Sequence, residues 1–139
     1  MRRERAYVPL GLVSRRPPVD DDSPESLVSS CLFCRIVAGE VPATVVHETA
    51  TTLAFRDIGP QAPTHVLVVP RAHHDDVGAL SDADPGLLAE VLGAAVAVAR
   101  QEQLTGGYRL LANTGDDAGQ TVQHAHVHVM GGHPLAGLG

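Results

Sequence analysis

The sequence predicts an α+β domain: a five-stranded, mainly antiparallel sheet with one long and one short helix. Three observations carry this. From His124 to Met130, histidine alternates strictly with small or apolar residues, the period of a strand with one face buried. Val66-Leu67-Val68-Val69 is a continuous apolar run, as expected of a central strand covered on both faces. Leu87, Leu88, Val91, Leu92, Ala95, Val98 and Ala99 recur at helical spacing and end before Gly106-Gly107.

The elements follow in order. Ser30 is placed to cap a short helix from Cys31 to Ala38, with Gly39 as its stop. Leu32, Phe33 and Ile36 share one face of it. Thr44 to His47 and Thr51 to Arg56 read as strands joined by a tight turn at Glu48-Thr49-Ala50. Asp57-Ile58-Gly59-Pro60 is a loop, whose Asp57 suits a turn cap. Thr64 to Pro70 is the third strand. Ser81 with Asp84 reads as a variant capping box opening the long helix, with Pro85 in its first turn. Tyr108 to Asn113 is the fourth strand, and the histidine run from His124 is the fifth.

Length and charge bound the function. The 139 residues suffice for one domain with a real core. Aromatics make up only 3%, so that core is built from Val, Leu, Ile and Ala. Residues 1–30 combine Pro, Arg, Ser and an aspartate cluster without periodicity and read as a disordered tail, leaving 31–139 as the domain. A start codon placed too far upstream is a second explanation. Net charge is −6, and all of the acidic excess lies after residue 30. Nucleic acid is therefore not an expected partner, because counterion displacement needs a cationic face. A small phosphorylated ligand is compatible. No apolar run has membrane-spanning length, so no membrane partner is expected. Arg15-Arg16 is followed by Pro17-Pro18 and aspartates rather than an apolar region. No signal peptide is read, and the cytoplasm is the expected location.

The histidine row carries the chemistry. On a strand the three imidazoles share one face, roughly 6–7 Å apart. Ala125, Val127 and Val129 then point into a core. Imidazole is a nucleophile and an acid/base near neutral pH, and it is also the commonest metal ligand. Just upstream, Gly119-Gln120-Thr121 offers backbone N–H groups to an anion. Cys31 and Cys34 are the only cysteines. Their C-x-x-C spacing leaves zinc ligation, inert thiols and a redox pair as readings. His65 beside the apolar run reads as a core histidine or as part of a site.

Taken together, His124-Ala125-His126-Val127-His128-Val129-Met130, the stretch Ala54 to Pro70 and the stretch Cys31 to Pro42 resemble the histidine triad (HIT) family, in its Hint-like branch. The likeness covers residues 31–132. It implies a nucleotide hydrolase or transferase that cleaves purine nucleoside monophosphate conjugates, such as phosphoramidates or adenylates, through a nucleotidyl-histidine intermediate. His126 would be the nucleophile, with a backbone carbonyl of its own strand holding its other nitrogen. His128 would serve the phosphate or leaving group, and His124 would orient His126 unless it is taken up as a zinc ligand. Phe33, Ile36, Phe55 and Ile58 would wall the base pocket, and Asp57 would take the ribose hydroxyls. His65, Asn113, Gly119, Gln120 and Thr121 would surround the phosphate. Thr121 stands where many relatives carry serine, which points to an altered leaving-group preference.

The resemblance also implies a structural zinc on Cys31, Cys34, His73 and His124, no catalytic cofactor, and a homodimer whose sheet continues across two subunits. Relatives often carry a longer aromatic C-terminal segment than the Gly131-to-Gly139 stretch here, so selectivity carried by that segment is not expected. Two rival readings remain at this level: a metalloenzyme using the three triad histidines as ligands, and a nucleotide-binding adaptor with weak hydrolysis.

Overall fold

The computed structural model describes residues 30–137. The expected disordered tail therefore lies outside the described residues, apart from Ser30. Five strands, Val45–Glu48 (β1), Thr52–Arg56 (β2), Thr64–Pro70 (β3), Tyr108–Leu111 (β4) and Val127–Gly131 (β5), form one sheet in the order β1-β2-β3-β5-β4. Every neighbouring pair is antiparallel. Among the described residues three α-helices accompany it, Leu32–Val37 (α1), Val77–Ala83 (α2) and Pro85–Gln101 (α3), with a short 3-10 turn at Asp116–Ala118. The domain is α+β, as its periodicities predict.

The central strand explains the two layers. All of β3 is buried. Val66 and Val68 face α3, where they meet Leu87, Val91, Ala95, Val98 and Ala99. Leu67 and Val69 face the other way, into a smaller cluster with Phe33, Ile36, Leu53 and Phe55. Each fully buried Val or Leu contributes about 1.5–3 kcal/mol. The α3 layer holds more such residues, so it carries most of the stability. Among the described residues the opposite face is covered by the six-residue α1 with Val41, Ala43 and Val122, a smaller cover that leaves room for a cavity.

Several boundaries differ from the sequence reading, among them the first two strands, which run Val45–Glu48 and Thr52–Arg56 rather than from Thr44 to His47 and from Thr51 to Arg56. The short segment Val77–Ala83 is a helix in its own right, capped by Asp76, whose Oδ1 accepts the Ala79 N–H at 2.8 Å. Ser81 lies inside it. The cap of the long helix is Asp84 alone, whose Oδ1 accepts the Leu87 N–H at 3.0 Å, with Pro85 at the first position. Cys31, not Ser30, caps α1, its sulfur accepting the Cys34 N–H at 3.3 Å. Finally, β5 begins at Val127 and β4 ends at Leu111. His124 and His126 thus precede the hydrogen-bonded strand. The alternation nevertheless holds: Ala125, Val127 and Val129 are buried in the α3 layer. The lead-in leaves the ladder because the Ala125 N–H bonds the His74 carbonyl at 2.7 Å, and the His124 ring bonds the Pro70 carbonyl at 2.9 Å.

Candidate active site

A cavity of about 710 Å³ opens on the α1 side of the sheet. Leu32, Phe33, Ile36, Phe55, Leu67 and Val122 make most of its wall apolar, and Asp57, Thr121, His126 and His128 make one end polar. A concave apolar slot with a few convergent polar groups is the usual form of a small-molecule site. Ile58 stands fully exposed at the mouth.

The ring of His126 is buried against the edge of Phe33, with centroids 5.1 Å apart. Its Nδ1 lies 2.8 Å from the His124 carbonyl oxygen. A carbonyl only accepts, so Nδ1 carries the proton and Nε2 keeps its lone pair. This supplies the backbone acceptor expected for a neutral imidazole nucleophile.

His128 is fixed by a chain that starts on the backbone. The Gln61 N–H donates to His65 Nδ1 at 3.0 Å. His65 must then carry its proton on Nε2, which lies 2.9 Å from His128 Nδ1 and 3.4 Å from Asp57 Oδ2. His128 Nδ1 accepts, so in its neutral form the proton sits on Nε2. Burial, with His126 and His65 alongside, holds the His128 pKa down to about 4 against the pull of Asp57. The result is an uncharged N–H donor beside the His126 lone pair. Asp57, His65 and His128 also lie close enough to hold a cation. The Gln61 bond argues against that use, since ligation through His65 Nε2 would place two N–H groups face to face.

Behind His126, Cys31, Cys34, His73 and His124 gather their ligand atoms within 4.8 Å of one another. Cys34 Sγ lies 3.2 Å from His73 Nδ1 and 3.4 Å from His124 Nδ1, and Cys31 Sγ lies 3.5 Å from His124 Nδ1. Zinc–sulfur and zinc–nitrogen bonds at a tetrahedral angle separate S and N by about 3.5 Å. The far nitrogens are occupied as a metal site requires. His124 Nε2 donates to the Pro70 carbonyl, and His73 Nε2 lies 3.1 Å from Asp75 Oδ1. Burial lowers the His124 pKa to about 4, with the Pro70 carbonyl opposing and His73, His126 and His74 adding to the fall. Burial likewise pushes the Cys34 thiol up to about 12, and the neighbouring Cys31 adds to it. Two thiolates side by side are unfavourable until a cation lies between them. The donor set therefore fits zinc.

Comparison with known families decides the identity. The family model described as HIT domain matches residues 38–135. The chain belongs to the HIT family. A HIT-like protein of Synechococcus elongatus is 44% identical over 105 residues, covering 76% of this chain and 92% of the relative. A 14 kDa zinc-binding protein of Zea mays is 42% identical over 118 residues, covering 83% and 87%. The crystal structure of a HIT family hydrolase from Legionella pneumophila is 48% identical, with a TM-score of 0.73, covering 76% of this chain and 96% of that one.

Within this HIT domain, the residues expected at a nucleotide site fall into three groups. Phe33, Ile36, Phe55, Asp57, Ile58, Thr121, His126 and His128 line the cavity. His65 and His124 are buried behind it. Three others stand apart. The Gly119 N–H bonds the Asp116 carbonyl and the Gln120 N–H bonds the Gly115 carbonyl, so neither is available to an anion as the sequence reading expected. The Gln120 side chain is a brace: Oε1 accepts from the Gly115 N–H, and Nε2 donates to the Asp75 and Val122 carbonyls. Asn113 is not part of the cavity wall, although extending the Leu111–His128 register by two residues sets it opposite His126.

The three triad histidines also do not converge on one point, as the metalloenzyme rival needs. His124 turns to the cysteines and His128 to His65. Sequence reasoning missed Gln61, Asp75 and Leu67. Leu67 was legible, being two residues from His65 on the same strand face. The other two act through contacts across loops that no local pattern encodes.

Proposed function

We propose that this HIT protein hydrolyses purine nucleoside monophosphate conjugates, phosphoramidates or adenylates, through a nucleotidyl-histidine intermediate. The observation that carries this is the pair of ring tautomers: an unprotonated Nε2 on His126 beside a protonated Nε2 on His128. His126 Nε2 attacks the α-phosphorus, a P–N bond forms to the enzyme, and the P–N bond to the leaving amine of a phosphoramidate, or the P–O bond to the leaving carboxylate of an adenylate, breaks. His128 stays neutral, with Nδ1 accepting from His65, and its Nε2–H donates a hydrogen bond to a phosphate oxygen. The leaving group takes its proton from solvent, and the water that attacks the intermediate gives one back. Nucleoside monophosphate departs and His126 is restored. Thr121 lines the cavity, and in this reading its hydroxyl contacts the leaving group.

In this reading the apolar slot takes the purine base and Asp57 takes the ribose hydroxyls. Zinc occupies the Cys31, Cys34, His73 and His124 centre as a structural ion, supported by the donor geometry and by the name of the maize relative. We place the protein in the cytoplasm, where paired thiols stay reduced. It works as a homodimer joined along edge strand β4, where Tyr108 and Leu110, with Leu92 on α3, leave apolar surface exposed.

The test is to incubate parent protein and His126→Ala with a fluorogenic adenosine phosphoramidate, quench early and weigh the protein. A mass increase of one adenylate in the parent alone is expected, with turnover in the variant down by at least about 10³-fold. Equal rates would sink the assignment.

A further inference from the structure

We propose that occupancy of the Cys31–Cys34–His73–His124 centre sets both the orientation of His126 and the position of the apolar cavity wall, so that the metal governs nucleotide binding without touching the nucleotide. The inference rests on the zinc reading above and extends it from stability to function.

Three ties carry it. The first runs through His124, whose side chain and main chain serve different partners. Its Nδ1 faces the thiols, its Nε2 bonds Pro70, and its own carbonyl oxygen receives the His126 Nδ1–H at 2.8 Å. Anchoring the His124 ring thus anchors the acceptor that holds the neighbouring imidazole. The second tie runs through Phe33, which lies between the two cysteines in sequence. Its ring meets His126 edge-on, with centroids 5.1 Å apart, and also lines the cavity. Helix α1 has six residues, too few to be stable alone, so its placement depends on what docks it. The cysteine ligands supply one such anchor at its N-terminus. The third tie joins the loops that follow β3 and precede β5. The His74 carbonyl accepts the Ala125 N–H and the Asp75 carbonyl accepts from Gln120 Nε2, on either side of the ligand pair His73 and His124. Without the ion, Cys34 is joined to His73 and His124 only by sulfur–nitrogen contacts of 3.2 and 3.4 Å, so the four ligands lose their common anchor.

Asp75 is a positioning residue in this scheme. Its carboxylate orients His73 from 3.1 Å and is itself largely exposed. Asp75→Ala keeps the backbone carbonyl that serves Gln120 and should weaken zinc binding by about tenfold, the low end for an outer partner of a ligating histidine.

The experiment uses ¹⁵N-histidine-labelled protein purified without chelator, in its metal-bound form and after stripping. Metal is counted by elemental analysis, secondary structure is followed by circular dichroism, and AMP affinity is measured by calorimetry. Stripping is expected to erase the His126 Nδ1–H resonance and raise the AMP Kd about tenfold, as for a site competent in about a tenth of molecules, with the sheet signal retained. In Asp75→Ala titrated with zinc chloride, AMP affinity should rise in step with occupancy. An unchanged resonance and AMP affinity in stripped protein overturn this inference and leave the zinc reading intact. So does AMP affinity independent of occupancy in Asp75→Ala. Protein that takes up no stoichiometric zinc overturns both.

Discussion

His65 and His128 meet ring to ring, Nε2 to Nδ1 at 2.9 Å, and the backbone N–H of Gln61 decides which of them donates. The bond ties a loop amide to the cavity through two neutral imidazoles. It fixes the side of His128 that carries a proton before any substrate arrives.

Removing the donor at His65 should therefore impair turnover more than binding. For His65→Leu we expect kcat on an adenosine phosphoramidate to fall by about 10–100-fold, the cost of losing one buried hydrogen bond to a reacting group. AMP affinity should change little. Separate kcat and KM measurements check this, and a loss confined to KM would contradict it.

The depressed His128 gives stability a pH dependence of defined sign. Its folded pKa is about 4, against 6.5 for a free imidazole. Between those values the unfolded chain binds a proton that the folded protein refuses, so stability rises with pH there. The contribution is complete above about pH 6.5 and is lost as pH falls towards 4. Urea unfolding from pH 7 to pH 4 should show a slope shallower by up to one proton in His128→Asn than in the parent.

Asp57 accepts the Gly59 N–H through Oδ1 at 2.8 Å, which Asn can also do. Asp57→Asn should thus keep the loop but lose the charge that the proposed function has it offer to ribose hydroxyls. AMP should bind about tenfold more weakly, while 2′,3′-dideoxy-AMP should be nearly unaffected. Calorimetry with both nucleotides separates the outcomes. An equal loss for both would remove the ribose role.

Away from the cavity, Asp84 caps α3, whose buried face packs on the sheet. Asp84→Ala should cost about 1 kcal/mol of stability, read from the urea midpoint, and leave phosphoramidase activity unchanged.

If the proposed homodimer forms, the protein should sediment as two 14.5 kDa chains at micromolar concentration. Leu110→Lys, which charges the exposed face of edge strand β4, should shift it to monomer. A parent protein that sediments as a monomer would contradict the dimer.

The amino-acid order by itself determined the fold class. Period two at residues 124–130, an unbroken apolar run at 66–69 and a helical stripe from Leu87 to Ala99 are local patterns, and each reports which faces must be buried. The same alternation put three imidazoles on the face opposite α3. What only the tertiary structure decided is what each imidazole does. His124, His126 and His128 are equivalent in sequence, yet one turns to thiols from residues 31 and 34, one to a backbone carbonyl, and one to a histidine 63 residues away. The thiols come from the start of α1 and His65 from β3, brought to the histidine run only when the sheet forms, while the His126 acceptor is the carbonyl two residues before it. A ring nitrogen is a donor or an acceptor according to its neighbour. Its chemistry is therefore set by long-range packing rather than by spacing along the chain.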